Sequence, residues 1–201
     1  MPPIDAISNG PLNPAQQQEV ALAQQRAATI RKAAKVAGFN GWMFGIFAAL
    51  SALFAVFDFS IPGILVTAGL AWIAYREFQG RKGLLQFDPS AATRLGWNQI
   101  GLVILITVYC GWMLWEGLTG NSPIAAEFKA NPDLASVLSP REFDRIYRLL
   151  VILVYGSVIV VSVIFQGWNA AYYFTRRKHI ETYVRETPAW VLDLQRLTAV
   201  V

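Results

Sequence analysis

The chain has 201 residues, of which 55% are hydrophobic and 15% charged, with a formal net charge of +4. A charged fraction well below the roughly 25% of soluble domains excludes an ordinary water-soluble enzyme. The positive balance sits in clusters beside apolar stretches, a membrane-topology pattern that argues against a nucleic-acid partner.

Residues 1–13 carry Pro2, Pro3, Gly10 and Pro11 and read as a disordered N-terminus. Asn13-Pro14, a cap residue followed by proline, is a helix start. Residues 14–37 then read as a basic cytoplasmic or interfacial helix, with a thin apolar face at Val20, Ala27, Ile30 and Ala34. Its cationic end holds Arg26, Arg31, Lys32 and Lys35. Such a helix is expected on the inner membrane surface or against a partner, a plain solvated helix being the alternative.

Four stretches follow without any Asp, Glu, Lys or Arg: Val36 to Phe57, Phe59 to Tyr75, Leu95 to Trp115 and Leu149 to Thr175. They are 22, 17, 21 and 27 residues long, where an α-helix needs about 20 to cross a hydrocarbon core. Backbone groups in lipid must be satisfied within the segment, so these stretches are helices. The expected fold is an all-α integral membrane protein, a four-transmembrane-helix bundle made of two repeated helical hairpins with amphipathic N- and C-terminal helices. The first hairpin covers 38–83, a cytoplasmic linker 84–94 and the second hairpin 95–180, with a helical outer loop at 117–147.

Cap-then-proline pairs recur at Asp88-Pro89, Ser122-Pro123, Asn131-Pro132, Ser139-Pro140 and Thr187-Pro188, and Ser139 with Glu142 matches a capping box. Residues 181–201 form a cytoplasmic tail whose short helix carries Trp190, Val191, Leu194 and Leu197 at helical spacing. Of the basic residues, only Lys129, Arg141, Arg145 and Arg148 fall on the side of the hairpin tips. The positive-inside rule places the other side, with both termini, in the cytoplasm. The expectation is a multi-pass protein of the plasma (inner) membrane, in contact with the lipid bilayer and its anionic headgroups.

An internal repeat underlies the two hairpins. At an offset of 58, Gly38-Phe39-Asn40 falls on Gly96-Trp97-Asn98, Phe54 on Trp112 and Asp58 on Glu116. At an offset of 96, Trp72 falls on Trp168, Phe78 on Phe174 and Arg81-Lys82 on Arg177-Lys178. Each unit enters and leaves on one side, so the repeats are parallel, about an axis along the membrane normal.

Three groups of residues could carry function. Asn40, Asn98, Gln99, Gln166 and Asn169 could line a polar vestibule at the inner ends of the spans; helix capping is the plainer reading of the two asparagines. Asp58 and Glu116 form a candidate outer acidic pair, or else solvated end-stops. Gly41, Gly45, Ala49 and Ala52 give span one a small-residue face for packing or for a partner. Trp42, Trp72, Trp97, Trp112, Trp115 and Trp168 fall near span ends, as in an aromatic belt.

Catalytic and cofactor chemistry is not called for. His179 is the single histidine and Cys110 the single cysteine, and they are far apart in depth, so neither haem nor zinc is expected. Ser51, Ser157 and Ser162 lack a neighbouring base. The expected function is a non-enzymatic scaffold or accessory subunit of a membrane complex, as a homo-oligomer or with other membrane subunits. The alternative is a small-solute or ion transporter or channel using the polar vestibule.

Overall fold

The computed structural model describes residues 12–58, 61–120 and 139–198. These residues are helical almost throughout, in five helices: α1 (Pro14–Asp58), α2 (Ile61–Leu85), α3 (Pro89–Thr119), α4 (Pro140–Glu186) and α5 (Ala189–Thr198). Three of them, α1, α3 and α4, are long and apolar enough to cross a membrane. In α2 the uncharged run from Ile61 ends at Tyr75, and Arg76 and Glu77 follow directly.

The helix starts follow the cap chemistry. Asn13 and Gln16 bond each other's backbone N–H reciprocally, at 2.8 and 3.1 Å. Asp88 accepts from the Ser90 N–H ahead of α3, and Ser139 with Glu142 closes a full capping box ahead of α4. The expected helices at Ser122-Pro123 and Asn131-Pro132 lie outside the described residues, as do residues 1–11.

One boundary differs from the sequence expectation. There is no break at Gly38: α1 runs unbroken through the basic segment and the first apolar stretch. The glycine is tolerated because its missing Cβ makes room for the Arg81 side chain, 3.1 Å from where a Cβ would sit. At about 1.5 Å per residue the 45 residues of α1 and 47 of α4 extend far beyond a hydrocarbon core of about 30 Å.

The surplus length builds the best-buried part of the molecule. Ala23, Ala27, Ile30, Ala34 and Ala37 of α1 form a stripe at helical spacing, and all are buried. They share one apolar cluster with Leu84 and Phe87, with Ala91 and Leu95 of α3, Ile180 and Tyr183 of α4, and Val191 and Leu192 of α5. The thin apolar face of the N-terminal segment is thus part of this intramolecular core. In α5 the buried residues are Val191, Leu192 and Gln195, while Leu197 stands exposed. Its register is set by the Tyr183 hydroxyl donating to Gln195 Oε1 at 2.7 Å.

Below this head, α1 packs on α2 and α3 on α4, and the two hairpins meet mainly through α2 and α3. The connection between α2 and α3 is sharp. Phe87 takes φ +59, and the Asp88 N–H reaches back to the Gly83 carbonyl at 3.0 Å, a helix end usually given to glycine. The Phe87 ring is buried, its centroid 4.9 Å from that of Tyr183.

Close approach of α2 and α3 depends on Gly80, where a Cβ would collide with the Leu95 side chain. Gly80→Ala should therefore lower stability by about 1–3 kcal/mol through overpacking. Gly45→Ala, which meets open space, should be neutral or gain up to about 1 kcal/mol of helix propensity. Thermal unfolding of the detergent-solubilised chain, followed by circular dichroism, distinguishes the two.

Candidate functional site

The buried face of α2 contains Ile73, Ala74, Glu77, Gly80 and Leu84, positions that follow helical spacing. Glu77 is therefore carried inward by its helix, two residues past the uncharged stretch of α2 and outside the three helices apolar enough to cross a membrane. Its side chain is fully buried. Among the described residues it has no cationic partner within ion-pair distance.

Amide and phenol groups from α3 and α4 bond the carboxyl instead, and an amide from α1 bonds the phenol. Asn98 Nδ2 and Gln99 Nε2, both on α3, donate to Glu77 Oε1 at 2.8 and 2.7 Å. The Tyr173 hydroxyl of α4 donates to Oε2 at 3.4 Å. Asn40 of α1 donates through Nδ2 to the Tyr173 oxygen at 3.3 Å. Asn98 also reaches the Ile73 carbonyl at 3.1 Å. Gln99 Oε1 is buried with no hydrogen-bond partner. One acid thus links all four long helices through a chain of hydrogen bonds.

Burial, opposed by the bonds from Asn98, Gln99 and Tyr173, pushes the Glu77 carboxyl up from 4.5 to about 7. A neutral carboxyl avoids most of the desolvation that a buried charge without a counter-ion suffers.

Of the five vestibule residues, Asn40, Asn98 and Gln99 come together, but neither asparagine caps a helix: both lie inside unbroken helices and bond to another one. Gln166 is half-buried elsewhere, beside a largely apolar cavity of about 930 Å³ that also touches Phe44, Leu105, Ile106, Tyr109 and Val158. Asn169 is half-buried and takes no part in the cluster. In the outer acidic pair, Glu116 is exposed, and the side chain of Asp58 lies outside the described residues.

The small-residue face divides as well. Gly41 is buried, with the Phe78 ring 3.1 Å from where its Cβ would sit, Gly45 and Ala52 are half-buried, and Ala49 is exposed. Ser51 accepts a hydrogen bond from Thr67 of α2 at 2.8 Å, and so joins α1 to α2. The six belt tryptophans are all more than half exposed. Among the described residues no group of three His, Cys, Asp or Glu side chains is placed to hold a metal ion.

Glu77 escaped the sequence reading, and Tyr173, which by sequence reads as one more aromatic of the interfacial belt, is instead fully buried. Two signals pointed to them: Glu77 sits in register with Ile73, Ala74, Gly80 and Leu84, and Tyr173 lies 96 positions further on, the repeat offset. Searches against protein families, curated proteins and solved structures return no match to this chain.

The pH dependence of stability has a definite sign. Because folding raises the pKa of Glu77, its protonated form favours the folded state. That contribution is complete below 4.5 and is lost as pH climbs through about 7. Wild type should lose stability between about pH 5 and about pH 8 while Glu77→Gln stays level across the same window. Glu77→Leu should be destabilised throughout by about 1–3 kcal/mol, since the Asn98 and Gln99 amides lose their acceptor. Thermal unfolding in detergent at the two pH values measures all three.

Proposed function

We propose that this chain is a non-enzymatic, four-span integral membrane protein that serves as a scaffold or accessory subunit of a membrane complex. The observation that carries the reading is how little of the apolar helix surface is covered within one chain. In the most apolar window of α4 only 6% of residues are buried, against 11% in α3 and 22% in α1. Lipid covers part of this surface, and a second copy or another membrane subunit covers the rest.

Connectivity supports a fourth span. α1 and α2 are antiparallel neighbours, and so are α3 and α4. If α1 and α3 each cross from the head side, α2 must return between them. Its shorter apolar run is helped across by exposed Trp72 and Tyr75 at the interface. Lys and Arg crowd the head side, which supports a cytoplasmic head with both termini inside, in the plasma (inner) membrane.

Duplication of the hairpin gains support from the hydrogen bonds around Glu77. Asn40 and Asn98 are repeat mates at offset 58, and Glu77 and Tyr173 at offset 96. Asn98 bonds Glu77 in the opposite hairpin, and Asn40 bonds Tyr173 in the opposite hairpin. One contact is the image of the other. A scaffold uses such a clasp to fix the angle between its halves. The solute-pathway reading has less to stand on, since three of its five amides, Asn40, Asn98 and Gln99, are engaged in hydrogen bonds to Tyr173 and Glu77.

Solubilisation in mild detergent, followed by native mass spectrometry, should yield a homo-oligomer or a stoichiometric complex with another membrane protein. Disulfide trapping through Ala49→Cys or Val161→Cys, on exposed faces of α1 and α4, should then link subunits. A protein that is monomeric and partner-free under all gentle conditions sinks the proposal.

A further inference from the structure

Between α2 and α3, on the flank of the hairpin junction, lies a groove of about 970 Å³, at the upper end of ligand-sized cavities. Its lining changes character in order along both helices. Toward the middle of the apolar stretches it is made by Gly69 on α2, and Gly101 and Leu105 on α3. One turn nearer the head come Trp72 and Trp97, both more than 60% exposed. Beyond them Arg76, Arg94 and Arg177 converge from α2, α3 and α4.

Of the three cations, Arg76 is the one without a carboxylate partner among the described residues. It lies 6.0 Å from the Trp72 ring. Arg94 shares Asp88 at 2.7 Å, and Arg177 holds Glu181 at 2.7 Å, both in exposed pairs. Asp88 is the one acid in the lining and is engaged as the cap of α3, so the lining keeps a positive excess. Gly101 leaves the apolar end open, with nothing within 4 Å of where its Cβ would stand.

We propose that this groove holds one anionic glycerophospholipid of the inner leaflet. Its phosphate sits against Arg76, Arg94 and Arg177, and an acyl chain lies along the open Gly101 face between the two tryptophans. A zwitterionic lipid lacks the net charge that three converging guanidinium groups select, and a free phosphate lacks the chain that the apolar end accommodates. The inference rests on α2 and α3 crossing a bilayer, as in the four-span reading.

The test uses the full chain reconstituted in phosphatidylcholine vesicles that contain a photoactivatable phosphatidylglycerol or a photoactivatable phosphatidylcholine as minor lipid. Cross-links are mapped by mass spectrometry. The phosphatidylglycerol probe should label the groove-lining segments of α2 and α3 in preference to the other probe. That preference should fall about fivefold in Arg76→Gln, and about as much again in Arg76→Gln/Arg177→Gln, by the attraction typical of one basic residue at a membrane surface. Gly101→Leu, which leaves the charges alone, should suppress labelling by filling the apolar end. Inorganic phosphate should not compete.

Equal labelling by both probes, labelling confined to other helices, a preference unchanged in the double variant, or displacement by inorganic phosphate overturns the inference and leaves the four-span reading standing. Labelling by neither probe anywhere along the chain overturns both.

Discussion

A carboxyl group buried without a cation must collect hydrogen-bond donors or lose its charge, and Glu77 does some of each. Its donors come from α3 and α4, and a further amide from α1 completes the chain through Tyr173. Apolar helices in lipid gain little by touching one another, since lipid tails are as apolar as their side chains. Directional bonds at one level along the helices therefore fix what the spans alone leave free: which helix faces which, and at what height. The close α2–α3 approach at Gly80 and the Gly41–Phe78 contact sit within about one turn of this level.

The rest of the architecture reads as two regimes meeting at that level. On the head side, small alanines let α1 approach α4, α5 and the α2–α3 turn, and a conventional apolar core forms. On the other side the helices carry large exposed apolar side chains such as Phe54, Phe57, Trp115 and Phe165. In water such a surface would aggregate; against lipid or another membrane subunit it needs no internal cover. The five ion pairs among the described residues are all at least partly exposed and add little to either regime.

Helix identity was legible because it depends on local signals: uncharged runs, caps at Asn13, Asp88 and Ser139, and prolines just inside the helix starts. The continuity of α1 through Gly38 was not legible, since a lone glycine reads as a break unless the neighbouring helix that supports it is known. The site was half legible. Asn40, Asn98 and Gln99 stood out as amides in apolar surroundings, but their partners depend on how four helices are assembled. Glu77 was obscured by composition: an acid beside Arg76 and near Arg81 and Lys82 looks like one more solvated charge until its place on the buried face of α2 is noticed.

Phe87 couples two properties that most turns keep separate. Its left-handed backbone reverses the chain between the hairpins, while its ring fills the head beneath Tyr183. Glycine would relax the first and empty the second; a β-branched side chain would strain the first and misfit the second. The turn between the hairpins and the filling of the head core thus meet at a single residue, so a change at Phe87 touches both.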